Sequence, residues 1–243
     1  MTLPAPFINA DMGEGVGLHR FGNDETLMEI VDAINVACGF HAGDPEVMAE
    51  TVRLAGEHGV VMGAHPGFPD IPGFGRRRID VAPGEVENLI RYQVGALQSF
   101  IRVEGLDLHH IKPHGALFGL LAGDEDRMRE AARVNFQYEV PFFGLAGTAH
   151  QTVCEEMGVP FISELYVDLN YSAEGKLLIR RRPELADPEN VRDRVTRALA
   201  GRPILSEDGA EVMIEFQSIC VHSDASNSPE VASTVRSVLD AHR

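Results

Sequence analysis

Residues 33–64 read AINVACGFHAGDPEVMAETVRLAGEHGVVMGA and contain one complete example of the structural unit that decides the fold. The stretch begins with six mostly apolar residues, a run short enough to be a buried strand. A segment of helical period follows at 45–58, with Asp44 placed to cap its first turn and Pro45 at the first helical position. The stretch ends in a second short apolar run, so it predicts a strand, a helix and a parallel strand.

The same alternation continues along the chain in both directions. Seven short apolar runs are predicted as strands, at residues 6–10, 33–38, 60–64, 108–112, 141–145, 160–165 and 213–221. Helices are predicted near residues 24–32, 45–58, 84–104, 124–135, 148–157, 188–199 and 229–241. Because no repeat or linker divides the sequence, we expect a single domain over residues 1–243.

Seven right-handed βα units close more readily into a barrel than into an open sheet. The predicted fold is therefore α/β, a single seven-stranded (β/α) barrel, with a doubly wound sheet as the alternative. Residues 166–187 have no clear period, and in a compact domain such a segment is more often a functional lid or a crossing loop than a linker.

Charge and composition limit the functional classes. The 243 residues include 21 Lys and Arg against 37 Asp and Glu, a net charge of −16. A protein with this negative charge repels phosphate backbones and anionic lipids, and the arginine triplets at 76–78 and 180–182 are too local to reverse the repulsion. Neither nucleic acid nor a membrane is therefore an expected partner. Cys38, Cys154 and Cys220 show no paired spacing, and the chain has neither a signal-peptide pattern nor a long apolar run. We expect a cytoplasmic protein.

Unusual polar side chains follow the predicted strands, at the ends that meet at one mouth of a barrel. They come from six segments: Asn9, Asp11 and Glu14; His41 and Asp44; His65 and Asp70; Lys112 and His114; Asp168 and Asn170; His222 and Asp224. We therefore expect one shared site. Asp11, His41 and His65 can form a two-histidine, one-carboxylate set for a divalent metal such as Zn or Mn, with structural histidines as the alternative.

Two sets of basic residues are candidates for binding an anion. Lys112 lies on an apolar strand beside a proline, which suggests a role toward a substrate carboxylate or an oxyanion. Arg76 and Arg77, in the glycine-framed stretch GFGRR, are the second candidate, with a solvated loop as the alternative. The chain has no GxxxxGK[ST] motif, and no helix follows the glycine-rich residues 9–17 as a phosphate-binding loop requires, so we do not expect this chain to cradle ATP.

Several long motifs closely resemble those of the LamB/YcsF family, the lactam-utilisation proteins that form the A subunit of 5-oxoprolinase. They are NADMGE at 9–14, NVACGFHAGDP at 35–45, GAHPGFPD at 63–70, GFGRR at 73–77, YQVGAL at 92–97 and HIKPHGAL at 110–117. The resemblance implies a barrel of the glycoside hydrolase/deacetylase type. It also implies a cytoplasmic enzyme that opens 5-oxoproline to glutamate with ATP hydrolysis, in complex with subunits B and C that handle the ATP.

The second half of the chain departs from the family pattern. Leucine stands at Leu169 where the family usually has arginine, and serine stands at Ser223 where it has glycine. Phe118 and Gly119 replace a tyrosine and an asparagine. Because a guanidinium can clamp a carboxylate through two hydrogen bonds, its loss at residue 169 makes a related small lactam an alternative to 5-oxoproline.

With this resemblance, the predicted reaction is hydrolysis of a lactam C–N bond. Asp11 with His41 or His65 is assigned to water activation, and Lys112 to the oxyanion or the substrate carboxylate. The catalytic candidates are Asp11, Glu14, His41, His65, Lys112, His114, Asp168, His222 and Asp224, and the substrate-binding candidates are Asn9, Asn35, Arg76 and Arg77. Two alternatives stay open: a metal-dependent deacetylase or amidohydrolase acting without partners, and a non-catalytic binding subunit.

Overall fold

Seven parallel strands close into a barrel in the structure, a computed structural model that describes Leu3 and residues 6–20, 22–180 and 185–242. The strands among these residues are β1 (Phe7–Met12), β2 (Ala33–Ala37), β3 (Val61–His65), β4 (Leu108–Ile111), β5 (Phe142–Gly144), β6 (Phe161–Tyr166), β7 (Asn170–Tyr171), β8 (Leu177–Leu178), β9 (Ile204–Leu205), β10 (Glu211–Val212) and β11 (Ser218–His222). Around the barrel the order is β1, β2, β3, β4, β5, β6 and β11, and β11 pairs with β1. The predicted seven-stranded barrel is confirmed.

Helices connect the barrel strands. Within the described residues they are α1 (Asp24–Met28), α2 (Pro45–His58), α3 (Glu85–Val103), α4 (Gly115–Gly123), α5 (Glu125–Tyr138), α6 (Ala149–Met157), α7 (Pro188–Leu199) and α8 (Ser228–His242). The boundaries of α2 follow from local chemistry. The Asp44 carboxylate accepts hydrogen bonds from the backbone N–H groups of Glu46 and Val47, and Gly59 ends the helix in the left-handed conformation.

Two parts of the chain differ from the sequence-based prediction. The last barrel strand, β11, begins at Ser218, whereas the predicted strand covers 213–221. Glu211 and Val212, just before the predicted strand, form β10, which pairs with β9 in a small antiparallel sheet. The helix α4 is not predicted from the sequence, because GALFGLLAG is apolar on every side and shows no helical period.

The predicted irregular segment 166–187 contains the hairpin of β7 and β8, which lies outside the barrel sheet. Leu177 and Ile179 of this segment line the pocket at the barrel mouth, so the hairpin covers that end of the barrel. Arg181 and Arg182, from the second arginine triplet, lie outside the described residues. Among the helices that the structure describes, none is both long and apolar enough to cross a membrane.

Strand register sets the level of the polar side chains. β1 continues to Met12, beyond the predicted end at residue 10, so Asn9 and Asp11 lie within the strand and face the barrel interior. Asp11 is in register with Asn35 of β2 on one side and with His222 of β11 on the other. The barrel therefore brings residues that are distant in sequence to one level near its mouth.

Candidate active site at the barrel mouth

Lys112 carries a buried ammonium group in the barrel interior, one residue after β4. Its Nζ lies 3.0 Å from Oδ1 of Asp11, 2.8 Å from Sγ of Cys220 and 3.5 Å from Oε1 of Glu164. Burial alone would lower the pKa of Lys112, but the neighbouring Asp11, Cys220 and Glu164 outweigh burial and raise this pKa well above its usual value. The ammonium is therefore charged and is engaged with protein groups.

Two asparagines lie beside Lys112 and fix the carboxylates around it. The side-chain amide of Asn35 donates to Oδ1 of Asn9 and to Oδ1 of Asp11, each at 2.7 Å. The amide of Asn9 donates to Oε1 of Glu164 at 2.9 Å. Asn9 and Asn35 are completely buried, so in this structure they orient Asp11 and Glu164 from beneath the mouth.

Asp11 presents its second oxygen to the mouth. Because Oδ1 accepts from Lys112 and Asn35, Oδ2 is the oxygen that faces the histidines, 3.3 Å from Nε2 of His65 and 3.6 Å from Nε2 of His222. Burial alone would raise the pKa of Asp11, but His65 and Lys112 outweigh burial and hold this pKa well below its usual value. Asp11 is a permanent anion at the mouth.

The hydrogen bonds of His65 and His114 determine which ring nitrogens carry protons. Nδ1 of His65 lies 2.7 Å from the carbonyl oxygen of Lys112, and Nε2 of His114 lies 2.8 Å from that of Phe74. A carbonyl oxygen only accepts, so both of these nitrogens are donors. The other two nitrogens, Nε2 of His65 and Nδ1 of His114, are 2.9 Å apart. In two neutral rings both would present lone pairs, so this contact requires a positive group, either an extra proton or a metal ion.

Glu14 and His41 complete the histidine cluster. Oε1 of Glu14 lies 3.2 Å from Nε2 of His41 and 3.6 Å from Nδ1 of His114. Burial, together with the charges of Asp11 and Asp224, raises the pKa of Glu14 well above its usual value. Burial lowers the pKa of His41 and of His114 well below the usual value, so both rings are neutral.

This cluster has the composition of a metal site. Ligand atoms of Glu14, His41, His65 and His114 all lie within 4.8 Å of one another, and Nδ1 of His41 is buried without a hydrogen-bond partner among the described residues. Histidines that bind metals commonly donate their second nitrogen to a carbonyl, as His65 and His114 do here. Three imidazoles and one carboxylate suit Zn²⁺, so the cluster can hold a metal ion. This set differs from the predicted one, since Asp11 groups instead with Cys220 and His222.

His222 forms an ion pair with Asp168 at the rim of the mouth. Asp168 accepts from Nδ1 of His222 at 3.0 Å and from its backbone N–H at 2.7 Å. Burial alone would lower the pKa of His222, but Asp168 outweighs burial and raises this pKa. The raised pKa favours the doubly protonated ring of His222, and the Nε2–H group of this ring is directed toward Asp11.

Arg76 and Arg77 point in different directions. Nη2 of Arg76 donates to Asp224 at 2.8 Å, and the Arg76 side chain is almost buried against the mouth. Arg77 instead donates through Nε to Asp70 at 2.9 Å, and its side chain is 53% exposed. Arg76 is thus brought to the site, whereas Arg77 lies outside it.

The mouth pocket collects most of the predicted site residues. Asp11, His65, Arg76, Lys112, His114 and His222 line it directly. Glu14 and His41 contact it through the histidine cluster, while Asp168 and Asp224 hold His222 and Arg76. Its volume is about 30 Å³, room for about two water molecules.

The interior also contains polar residues that are not among the predicted site residues. Glu164 and Tyr166 are two residues apart on β6, and the Tyr166 hydroxyl donates to Oε2 of Glu164 at 2.8 Å. The Tyr166 ring lies 5.3 Å from the Nζ of Lys112. The sequence did contain a signal for these residues, because Glu164 is a carboxylate in a largely apolar strand. Its spacing of two from Tyr166 places both side chains on the same face.

Comparisons with a family profile, with characterised sequences and with solved structures all find similarity to the same family. The LamB/YcsF family profile matches residues 7–243. The lactam utilization protein lamB of Emericella nidulans is 41% identical over 237 residues, covering 96% of this chain and 93% of that protein. The 5-oxoprolinase A subunit of Shouchella clausii is 39% identical over 239 residues, covering 97% and 94%. The crystal structure of the lactam utilization protein from Thermus thermophilus superimposes with a TM-score of 0.89 at 38% identity, covering 98% of this chain and 96% of that one.

Proposed function

The chain belongs to the LamB/YcsF family, and from this premise we propose that it hydrolyses the amide C–N bond of a small lactam, 5-oxoproline or a close relative. The observation that supports this most is the position of Oδ2 of Asp11, which faces His65 on one side and His222 on the other. Amide resonance makes the carbonyl a poor electrophile, so hydrolysis needs a base for water, a cation for the oxyanion and a proton for the nitrogen. The mouth holds all three kinds of group.

Water activation is assigned to His65 and Asp11 together. Nδ1 of His65 donates to the Lys112 carbonyl, so Nε2 is the ring nitrogen that faces Asp11 and His114 in the mouth. We assign Nε2 to accept the proton of a water that replaces the contact with His114. Asp11 is a weak base because its pKa is low. As a permanent anion 3.3 Å from Nε2, however, it orients the water and stabilises the imidazolium that forms.

The proton for the leaving nitrogen is assigned to His222. Asp168 keeps the ring protonated and directs Nε2 into the mouth. When the C–N bond breaks, the nitrogen takes this proton and the carbonyl carbon keeps the hydroxyl group from water, so the lactam becomes an open amino acid. Lys112 acts here by fixing Asp11, since its ammonium already has protein acceptors.

Recognition of the substrate is assigned to Arg76. Its guanidinium lies at the mouth and uses one nitrogen for Asp224, which leaves further donors for a substrate carboxylate or the oxyanion. ATP is assigned to partner subunits, because relatives are named as the A subunit of 5-oxoprolinase, a name that implies further subunits. We propose subunits B and C of the same enzyme as these partners.

The test is conversion of 5-oxoproline to glutamate by the purified chain, alone and with subunits B and C plus ATP. Asp11→Asn should reduce turnover by roughly 10²–10⁴-fold, the usual loss for one acid/base group. Asp240→Asn, the same change on the exposed face of α8, serves as the control and should leave turnover unchanged. Turnover by the Asp11→Asn variant within tenfold of the parent, with the fold intact, would falsify the assignment of Asp11.

A second candidate function is a metal-dependent deacetylase or amidohydrolase that needs no partner. It is favoured by the cluster of Glu14, His41, His65 and His114, whose ligand atoms all lie within 4.8 Å of one another. Glu14, His41, His65 and His114 would hold the ion, which would supply Lewis acidity and a more acidic water. Stoichiometric Zn or Mn in the purified protein, with hydrolysis of an N-acetyl substrate that is independent of ATP and lost on chelation, would favour this function over the first.

A further inference from the structure

A second cavity lies beside the mouth pocket, and the two share a wall of three apolar side chains, Phe118, Leu177 and Ile179. The neighbouring cavity, which we call the side groove, has a volume of about 880 Å³. It is bounded by α4, the loop between β5 and α6, the hairpin of β7 and β8, and residues 212–215. A small charged pocket and a large open groove are thus separated by one layer of side chains.

The floor of the side groove is formed by the small residues Gly119, Ala122 and Gly123 of α4. A Cβ atom placed on Gly119 would approach only Cδ1 of Ile179, at 3.6 Å, and one on Gly123 would have no neighbour within 4 Å. Neither glycine has the positive φ that favours glycine. Glycine makes a helix less stable than alanine does, and the backbone conformation at these two positions does not require glycine. Their effect is to keep the groove open.

The shared wall is apolar and is held on a small element. Leu177 lies in β8, and Ile179 directly follows the last residue of this strand. Among the described residues, β8 pairs only with the two-residue strand β7. A two-stranded hairpin of this size is marginally stable by itself. These side chains form one wall of the mouth pocket, which has a volume of about 30 Å³. Outward movement of the hairpin would enlarge the pocket and join it to the side groove.

We propose that the side groove binds an apolar substituent on the lactam ring, so that the preferred substrates are small lactams carrying an alkyl or aryl group. The inference rests on the proposed lactam chemistry and adds the substrate class. Ala122, Leu145 and Val212 continue the apolar surface from the shared wall. The charged side chains of the groove, Lys176 among them, are exposed, where they stay hydrated. The groove therefore suits a group without charge.

The test is a comparison of binding constants by calorimetry for 5-oxoproline and its ring-substituted butyl and benzyl derivatives. We expect the substituted lactams to bind at least about tenfold more tightly, since even one methylene in an apolar pocket gives about this factor. Gly119→Leu places a side chain in the groove and should remove this gain without weakening the binding of unsubstituted 5-oxoproline. Gly95→Leu is the matched control, because Gly95 is an exposed glycine of α3 whose added Cβ meets only the Tyr138 hydroxyl, at 3.8 Å.

Each outcome decides a different point. Tighter binding of the benzyl lactam that Gly119→Leu abolishes and Gly95→Leu preserves supports the proposal. Equal binding of all three lactams overturns the proposal and leaves the lactam chemistry standing. A gain that survives Gly119→Leu also overturns it. If no lactam binds to any variant, with subunits B and C present as well as without them, the proposed function fails, and this extension of it fails too.

Discussion

The ammonium group of Lys112 contacts two buried carboxylates, those of Asp11 and Glu164. Removing one partner from a buried ion pair leaves uncompensated charge, which usually costs about 3–5 kcal/mol. We therefore expect Lys112→Met to lower the free energy of unfolding by an amount in this range, measured by urea denaturation near neutral pH. The sequence contains one other lysine, Lys176, which is exposed, so Lys176→Met is the control and should change stability little. A Lys112→Met variant as stable as the parent would show that the buried network of Asp11 and Glu164 does not depend on this ammonium group.

The pair of Asp168 and His222 gives a prediction that depends on pH. Burial alone would raise the pKa of Asp168, but His222 outweighs burial and lowers it, while the pKa of His222 is raised. The lowered pKa adds stability above the unfolded value of about 3.9, and the raised pKa adds stability below the unfolded value of about 6.5. Asp168→Asn should thus reduce stability most between these values, by about 2 kcal/mol.

Urea unfolding at several pH values measures this effect. The difference between Asp168→Asn and the parent should shrink as the pH rises through the folded-state pKa of His222, because the ring then loses its charge. It should also shrink as the pH falls through the folded-state pKa of Asp168. A difference that is constant from acid to alkaline pH would mean that Asp168 acts only as a hydrogen-bond acceptor.

At the scale of elements, the sequence predicts what local chemistry decides. The bounds of α2 follow from Asp44 and Pro45 at one end and Gly59 at the other, and these residues act within one turn of the helix. Barrel strands are recognisable because each is a short apolar run. In contrast, α4 and the two-residue strands β7 and β8 depend on packing against the rest of the molecule, which a single sequence does not display.

The same distinction holds for the candidate site. Strand ends meet at one mouth in any barrel, so the gathering of Asp11, His65 and His222 could be predicted. Adjacent residues are harder to separate, because Arg76 binds Asp224, which is distant in sequence, whereas Arg77 binds the nearby Asp70. The exact donor and acceptor roles of the histidines likewise depend on backbone carbonyls whose positions the sequence does not give.

Arg194 of α7 stabilises the loop that carries Asp168. Its Nη1 donates to the carbonyl oxygens of Val167, at 3.2 Å, and Leu169, at 2.5 Å. Burial lowers the pKa of Arg194, and no carboxylate hydrogen-bonds its guanidinium among the contacts that the structure describes. We expect Arg194→Met to increase hydrogen exchange at residues 166–170 and to reduce turnover at least tenfold, since His222 depends on this loop for its orientation.

Variants of the same helix separate this role from helix stability. Arg197→Met removes an arginine one turn later, whose Nε bonds to Asp193 at 2.7 Å on the surface, and it should change neither measurement. Arg194→Lys keeps the charge and should restore part of the protection at residues 166–170. If Arg194→Met and Arg197→Met behave alike, the loop holds its conformation without Arg194.

At the scale of the whole molecule, the hairpin of β7 and β8 is positioned to control access to the barrel mouth. The candidate catalytic groups line a pocket of about 30 Å³, and Leu177 and Ile179 of the hairpin segment form part of its wall. Barrel strands pair on both sides and bury their side chains, whereas β7 and β8 pair only with each other among the described residues. Local opening should therefore occur in the hairpin at a much lower free energy than in the barrel.

Hydrogen exchange followed by mass spectrometry can detect this opening. In the free protein, residues 170–179 should exchange at least about tenfold faster than β1, β2 and β3, because each 1.4 kcal/mol of opening free energy gives a factor of ten. A saturating lactam should slow exchange in the hairpin and leave α5, on the outside of the barrel, unchanged. Hairpin protection equal to that of the barrel strands in the free protein would mean that the substrate enters by another route, such as past the loop around Arg76.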